Sequence, residues 1–375
     1  MELTFFKILI GLFALGIVVF VHELGHFLAA RLTGIHVEAF SIGWGKPFFK
    51  KKIGEVEYRL GVFPVGGYCK MAGEGDYEKA WQQNQSSEPL EKGTYFAAQP
   101  WQRIITAGAG PLFNIIFAVL VFTLIWWVGF EYETMDNRIS LAEDASIERD
   151  YPAKRAGLHT GDRIVQIDGA AVENFRDLQR MVVISAEKSL HFVVERDGEI
   201  LEFDIVPELQ KENAAGIIGV RPFSSDLIRY HTPDYSLAGA FWKGAEETLV
   251  MLVSTIRGFR LLFSGIDLTK SVSGPARITW MAGEIATEGF GQGVGDGLRL
   301  LANFLALISI ALGVTNLLPL PILDGGAIVL FLVEMIRRRR LSPRVFACVQ
   351  TAGIIIIAGL MILALTGDVL FFMNK

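Results

Sequence analysis

Residues 8–30 read ILIGLFALGIVVFVHELGHFLAA. The stretch from Ile8 to Val21 is apolar, and a helix of about 20 such residues spans a bilayer. The segment HELGH (22–26) then continues the helical pattern with three ionisable residues. Because ionisable residues at membrane depth are costly, they usually mark a functional site. A secretory signal peptide is the alternative, but its positively charged start would rest on Lys7 alone.

Three further apolar blocks of membrane-spanning length follow. They are Ile104–Phe130, Leu300–Leu323 and Val345–Gly367. Of the 375 residues 51% are hydrophobic and 20% charged, so the excess of apolar residues is concentrated in four predicted spans with polar segments between them. The two cysteines exclude a disulfide framework. A net charge of −5 without a long basic block argues against a nucleic-acid partner.

The distribution of basic residues predicts the orientation of the four spans. Short loops rich in Lys and Arg stay in the cytoplasm. Five arginines lie between 337 and 344, and residues 31–103 hold ten Lys and Arg. Four spans place both segments inside, with the two termini and residues 131–299 outside. A fifth span through 236–263 would separate them, so we interpret that amphipathic segment as a helix on the membrane surface.

The segment HELGH is an HExxH zinc motif. On a helix His22 and His26 share one face, so both imidazoles can bind one Zn²⁺ while Glu23 acts as general base on its water. A catalytic zinc takes three protein ligands. The four-span orientation brings Asp324, at the end of the third long apolar block, to the same leaflet, which predicts it as the third ligand. The alternative is that Asp324 caps the helix that follows it.

Two further motifs complete a resemblance to a known family. GPLFN (110–114) lies in the second span, and NLLPLPILDG (316–325) closes the third. With HExxH they resemble the site-2 protease family of intramembrane zinc metalloproteases, most closely the bacterial regulator-of-sigma-E type, over nearly the whole chain. The resemblance implies a Zn²⁺ cofactor. It also implies hydrolysis of single-span membrane proteins already trimmed outside, such as anti-sigma factors or signal-peptide remnants.

The resemblance also bears on two asparagines. Asn316 matches the family's asparagine, which implies a catalytic role at the oxyanion of the tetrahedral intermediate or a hold on the substrate backbone. An interhelical hydrogen bond is the alternative for this residue. Asn114, next to a Gly-Pro pair, is interpreted as a helix-packing residue.

Residues 151–169 read YPAKRAGLHTGDRIVQIDG, which is similar to the core run of PDZ domains. Two alternating stretches, Leu190–Glu195 and Ile200–Val206, predict strands. Residues 131–234 include 21 acidic and 12 basic residues, as is normal for a soluble domain. We therefore predict an α+β PDZ domain outside the membrane. It either binds an extended peptide by strand addition or acts only as a size filter.

The segment 54–73 is predicted as a glycine-rich β-hairpin, because charged and apolar residues alternate in its first part and glycines interrupt its second. The resemblance implies a re-entrant hairpin beside the active site, where strand addition would hold an unwound substrate. A plain cytoplasmic hairpin is the alternative. The predicted substrate-binding residues are Val62, Val65, Gly66, Gly67 and Tyr68.

The predicted fold is a polytopic α-helical membrane protein with four transmembrane helices, a membrane-associated β-hairpin and an inserted extracytoplasmic α+β PDZ domain. Its predicted partners are single-span membrane proteins, the lipid bilayer of the bacterial inner membrane and a peptide on the PDZ domain. The active site is predicted near the cytoplasmic side. Two alternatives stay open, a catalytically inactive PDZ-bearing adaptor and another class of HExxH membrane protease with a Glu ligand.

The predicted segments are the first span (1–31), a cytoplasmic loop with the hairpin (32–102), the second span (103–130), the PDZ domain (131–222), the surface helix with a linker (223–299), the third span (300–326), a cytoplasmic loop (327–344) and the fourth span with the C-terminus (345–375).

Overall fold

The computed structural model describes residues 2–75, 91–142, 150–210, 215–262 and 274–373. The chain divides into two compact units. The first comprises Met1–Ile125, Phe241–Thr248 and Asp267–Lys375, and the second comprises Trp126–Ala240 and Leu249–Ile266. All the predicted catalytic, metal-binding and substrate-binding residues belong to the first unit.

Four helices among the described residues are long and apolar enough to cross a membrane, which confirms that prediction. They are Phe5–Thr33, Pro100–Val128, Val294–Asn316 and Pro343–Met373. The helices are α1 (Glu2–Thr33), α2 (Pro100–Val128), α3 (Pro152–Arg155), α4 (Phe175–Val183), α5 (Leu237–Leu262), α6 (Pro275–Gln292), α7 (Val294–Asn316), α8 (Asp324–Arg337) and α9 (Pro343–Met373).

Glycines allow α1 to pack closely on two neighbours. A Cβ atom on Gly25 would stand 2.4 Å from the carbonyl oxygen of Ala109 in α2, and one on Gly11 would stand 2.1 Å from that of Thr279 in α6. Real Cβ atoms do not approach so closely, so a side chain at either position would push the helices apart. The HELGH segment of α1 therefore lies directly against α2.

The third span ends earlier than predicted. Helix α7 stops at Asn316, and α8 begins at Asp324. Pro319 and Pro321 lie between them, and proline cannot donate the backbone hydrogen bond that would continue a helix. The predicted boundaries 300–326 and 327–344 therefore differ from the structure: a further helix begins at Asp324, inside the predicted third span, and continues into the predicted loop as far as Arg337.

The predicted linker 223–299 also contains a helix that the sequence did not reveal. Helix α6 packs on α1 and α7 in a small cluster around Ala14, Ala282 and Phe304. Its acidic residues masked this packing, yet Glu284 lies 3.8 Å from the Lys7 amine of α1. The apolar periodicity is weak because the buried face consists of small residues, Thr279, Ala282, Gly283, Ala286 and Gly289.

The predicted hairpin 54–73 is wrong in its boundaries. Strands β1 (Val37–Ile53) and β2 (Val56–Met71) pair as a longer antiparallel hairpin whose turn is at Gly54–Glu55. Residues 39–42 of β1 lie opposite both 57–60 and 67–70 of β2, because both strands bend. The segment 67–71 consequently has a strand neighbour on one side only within the described sheet.

The second unit contains a four-stranded antiparallel sheet. Its strand order is β6 (Ala170–Ala171), β5 (Arg163–Ile167), β7 (Leu190–Arg196) and β8 (Glu199–Ile205). Its core includes Ile164, Leu178, Phe192 and Val194, each at most 1% exposed. The strands are β3 (Glu131–Thr134), β4 (Ile139–Leu141), β5 (Arg163–Ile167), β6 (Ala170–Ala171), β7 (Leu190–Arg196), β8 (Glu199–Ile205), β9 (Glu208–Gln210), β10 (Ala215–Ile217), β11 (Val220–Pro222) and β12 (Ile228–His231).

The sheet partner of β3 lies beyond the boundary predicted for the soluble domain. Strand β3 pairs with β12, and Tyr132 stacks on Tyr230 at 5.9 Å between ring centroids. The predicted end at residue 222 is therefore too early, because β12 closes the pair at His231.

Candidate active site

Helix α1 presents two histidines on one face, one turn apart. His22 and His26 are 6% and 8% exposed, and their Nε2 atoms lie 3.2 Å apart. The rings meet nearly at right angles. Gly110 of α2 packs on both rings, since a Cβ atom there would stand 2.4 Å from Nε2 of His26.

Asp324 completes the cluster from the first turn of α8. Its Oδ2 atom lies 3.2 Å from Nε2 of His22 and 3.5 Å from Nε2 of His26. That oxygen is buried and has no hydrogen-bond partner among the described residues. Three groups of metal-ligating type thus converge with one ligand atom each, and a divalent cation fits between them by charge and by donor type.

The backbone of α2 orients one of the two imidazoles. Nδ1 of His26 lies 2.8 Å from the carbonyl oxygen of Thr106. Because a carbonyl can only accept, Nδ1 carries the proton and Nε2 keeps its lone pair for the cluster. Metal-ligating histidines commonly donate their second ring nitrogen in this way.

Glu23 stands beside the cluster and next to strand β2. The backbone amide of Cys69 faces its carboxylate, and a Cβ atom on Gly67 would stand 3.3 Å from its Cγ. The Glu23 side chain lines the same cavity as His22, His26 and Asp324. The volume of this cavity is about 360 Å³. The Glu23 carboxylate is therefore held where a proton acceptor for an attacking water would be needed.

Asn316 ends α7 at the same cavity. Its Nδ2 atom lies 3.1 Å from Nε2 of His22. The structure thus brings together all five residues predicted for catalysis and metal binding, although they come from α1, α7 and α8.

The predicted substrate-binding residues divide into two groups. Tyr68 lines the cavity, and Gly67 touches Glu23. Gly66, at φ +88°, packs instead on the Trp44 indole. Val62 is 56% exposed and is not among the residues that line the cavity, and the side chain of Val65 lies outside the described residues.

Other cavity residues were missed by sequence reasoning. Tyr95 and Met71 line the cavity without any motif to mark them. Cys69 also lines it, and burial together with the Glu23 and Glu74 carboxylates raises the pKa of its thiol, so Cys69 stays a neutral thiol. Asn114, interpreted as a packing residue, places its side-chain amide 3.1 Å from Nδ1 of His22; GPLFN was the signal that could have found it.

Two buried histidines and a carboxylate beside a glutamate, in a chain with four membrane-length helices, are the arrangement of a membrane-embedded metallopeptidase. The chain belongs to peptidase family M50, the site-2 protease family, whose model matches residues 10–360. It is a zinc metalloprotease, which confirms the enzyme class, the cofactor and the family inferred from the motifs.

Relatives that align over most of both chains support this membership. A protein of Treponema pallidum is 32% identical over 98% of this chain and all of its own length. One of Clostridium acetobutylicum is 30% identical over 99% of this chain and all of its own, and one of Campylobacter jejuni is 33% identical over 94% and 90%. Each carries the name "putative zinc metalloprotease".

Proposed function

We propose that this zinc metalloprotease hydrolyses peptide bonds of single-span membrane proteins, within or beside the bilayer, with His22, His26 and Asp324 as zinc ligands and Glu23 as general base. The observation that carries the proposal is the convergence of the three ligand atoms beside Glu23 in one cavity. Substrates of this kind include anti-sigma factors and signal-peptide remnants.

The residues divide the chemistry between them. Zinc, when bound, supplies a Lewis acid that activates water and polarises the scissile carbonyl. Glu23 accepts the proton of the attacking water and returns it to the leaving amine. Asn316 is proposed to donate its amide hydrogen to the developing oxyanion or to the substrate backbone.

The edge of β2 is proposed to hold the unwound substrate. A helix hides its own peptide bonds, so a membrane substrate has to unwind before attack. Segment 67–71 has a strand neighbour on one side only among the described residues, and Tyr68, Cys69 and Met71 line the cavity. An extended segment that added to this edge would lie beside Glu23.

Cross-linking tests that binding mode. In a Glu23→Gln, Cys69→Ala, Cys348→Ala background, which removes both native thiols, Tyr68→Cys should form a disulfide with a substrate cysteine near the cleavage site. Val62→Cys, exposed and outside the cavity, is the matched control and should not. Equal cross-linking from both positions would contradict strand addition at this edge.

The soluble part of the second unit is proposed to be a PDZ domain that filters or binds the substrate. Its four-stranded sheet and α4 support this, as do turn glycines with positive φ at Gly157, Gly161 and Gly169. Because β3 pairs with β12, residues 135–227 can be replaced by a short linker. A size filter predicts that the shortened enzyme cleaves untrimmed substrate. A peptide-binding role predicts slower cleavage of trimmed substrate, and unchanged behaviour would contradict both.

The enzyme is proposed to lie in the bacterial inner membrane with the 31–103 segment and the 337–344 loop inside. In a Cys348→Ala background, Lys51→Cys and Arg339→Cys should resist a membrane-impermeant thiol reagent added to spheroplasts, whereas Glu199→Cys should react. Labelling of only one of the two basic segments would contradict the four-span orientation.

The central test is a conservative change of the base. Glu23→Gln should abolish cleavage of a co-expressed single-span substrate while zinc content and thermal unfolding stay near wild type. Glu38→Gln, an exposed acid on β1, is the matched control and should cleave normally. Retained cleavage by Glu23→Gln would overturn the assignment.

A further inference from the structure

Asn114 is a buried side chain at the meeting point of three helices. It lies in α2 at 0% exposure. Its backbone carbonyl accepts a hydrogen bond of 2.9 Å from the Ser309 hydroxyl of α7, and its side-chain amide reaches Nδ1 of His22 on α1 at 3.1 Å. One residue therefore makes both a packing contact and a contact with the metal-binding cluster, through different atoms.

The donor and acceptor inventory decides which amide atom faces His22. With Nδ2 of Asn114 toward His22, the imidazole Nδ1 would have to accept, and its proton would sit on Nε2. Nε2 is the atom that points at Asp324 and His26, so a proton there would block metal binding. The same placement leaves Oδ1 of Asn114 buried without a partner.

A half-turn of the amide removes the conflict at the imidazole. The oxygen and nitrogen of an asparagine amide have nearly the same shape and are assigned from their hydrogen bonds. With Oδ1 toward His22, Nδ1 donates and Nε2 keeps its lone pair. His26 already has this pattern, since its Nδ1 donates to the Thr106 carbonyl. The two histidines would then be oriented alike, one by a backbone carbonyl and the other by a side-chain carbonyl.

We propose that Asn114 is a positioning residue of the metal site: its side-chain oxygen accepts a hydrogen bond from Nδ1 of His22 and holds that imidazole in the tautomer that binds Zn²⁺. This inference rests on the proposed function, because it takes His22 as a ligand. It assigns a specific task to the asparagine of GPLFN, which sequence reasoning gave to helix packing.

Zinc affinity of the purified full-length protein in detergent tests the proposal without relying on activity. The metal is removed, and Zn²⁺ is titrated back in competition with a chromophoric chelator. Asn114→Leu removes the acceptor at similar volume and should weaken zinc binding about 10–100-fold. Asn114→Asp retains an acceptor and should stay near wild type in affinity.

Two controls separate this role from packing. Ser309→Ala removes the hydrogen bond to the Asn114 backbone but leaves the amide in place, so zinc affinity should not change. His22→Ala should lose tight zinc binding altogether. If His22→Ala still binds zinc tightly, the ligand assignment itself fails, whereas loss in His22→Ala with wild-type affinity in Asn114→Leu overturns only the inference.

Folding is followed by circular dichroism on the metal-free proteins. If Asn114→Leu does not fold, Asn114→Ala, Asn114→Val and Asn114→Asp carry the test. The acceptor role predicts that valine weakens zinc binding as much as alanine, whereas a packing role predicts that the larger valine recovers part of the loss. An aspartate variant with affinity as low as the alanine variant would also overturn the acceptor role.

Discussion

Two buried polar clusters in the first unit differ in whether the chain supplies a positive charge for the carboxylate. Arg103 and Glu334 form an ion pair with side chains 0% and 1% exposed. The second oxygen of Glu334 accepts the Leu341 backbone amide at 2.9 Å, and the guanidinium lies 4.4 Å from the Phe331 ring centroid. In the other cluster, Nε2 of His22 and Nε2 of His26 lie 3.2 and 3.5 Å from Oδ2 of Asp324. That oxygen has no hydrogen-bond partner in the described chain.

The difference lies in whether each negative charge meets a positive one. Glu334 has a permanent cation, because arginine stays protonated in proteins. Asp324 faces only acceptor atoms when His26 donates from Nδ1 to Thr106 and His22 has the proposed tautomer, and a buried charge without a partner is strongly unfavourable. The charges of the first cluster therefore balance within the chain, although Nε and Nη1 of Arg103 have no hydrogen-bond partner among the described residues. The second cluster needs a bound cation to balance its carboxylate.

The largest expected effect comes from removing the Asp324 carboxylate. Asp324→Ala should reduce zinc content and cleavage to background, since a catalytic zinc needs its third ligand. The thermal stability of the metal-free protein should not fall, because an unpaired buried charge is removed. Metal analysis and thermal unfolding measure both. Zinc retained at one ion per chain would show that Asp324 is not a ligand.

The charge-balanced Arg103–Glu334 pair should give the opposite result. Glu334→Ala leaves Arg103 buried without its partner and should destabilise the protein by roughly 3–5 kcal/mol, measured by denaturant unfolding in detergent. The double variant Arg103→Met, Glu334→Leu should recover most of that loss, because apolar side chains of similar volume can replace a buried pair. Zinc bound per folded chain should be unchanged, and selective zinc loss in the double variant would contradict a purely structural role.

A third buried carboxylate is completed by backbone donors. Asp368 of α9 is 3% exposed and accepts from the amides of Gly274, Ala276 and Arg277 at 2.8, 3.0 and 3.3 Å. It thereby satisfies the start of α6. Asp368→Leu should cost roughly 1–3 kcal/mol in the same unfolding assay, as buried donors lose their acceptor. Asp296→Leu, the matched control at a half-exposed site, should cost less.

The sequence was sufficient where the signal is local or strongly periodic. The spacing of His22 and His26 on one helix and the four apolar blocks needed no tertiary information. Asp324 was found through its motif and the expected orientation of the spans, although the helix it opens was not.

Long-range pairing could not be predicted. The register that places residues 39–42 of β1 between two parts of β2 depends on bends far apart in sequence. Helix α6 was hidden because the residues on its buried face are small and Glu284 pairs with the distant Lys7. The second role of Asn114 depends on the approach of α1 to α2. In each case the deciding neighbour is distant in the chain.

The smallest expected effect extends the comparison to the second unit. Asp162 has a side chain 1% exposed, but its partner Arg196 is 23% exposed, so solvent screens the pair more than it screens Arg103 and Glu334. Burial raises the pKa of the Asp162 carboxyl, but the hydrogen bonds from Arg196 and from the His159 amide lower it by more. The net effect is a pKa below the usual 3.8. The stabilisation is therefore fully present above that value and is lost as the pH falls through the lower folded-state pKa.

The measurement is the difference in thermal midpoint between wild type and Asp162→Asn from about pH 6 to about pH 3. Wild type should be more stable at the upper end, and its advantage should shrink as Asp162 becomes protonated. A constant difference across the range would mean that packing, and not charge, sets the contribution of Asp162. In that case the charge of Asp162, whose partner Arg196 is near solvent, would contribute less to stability than the charge of the buried Arg103–Glu334 pair.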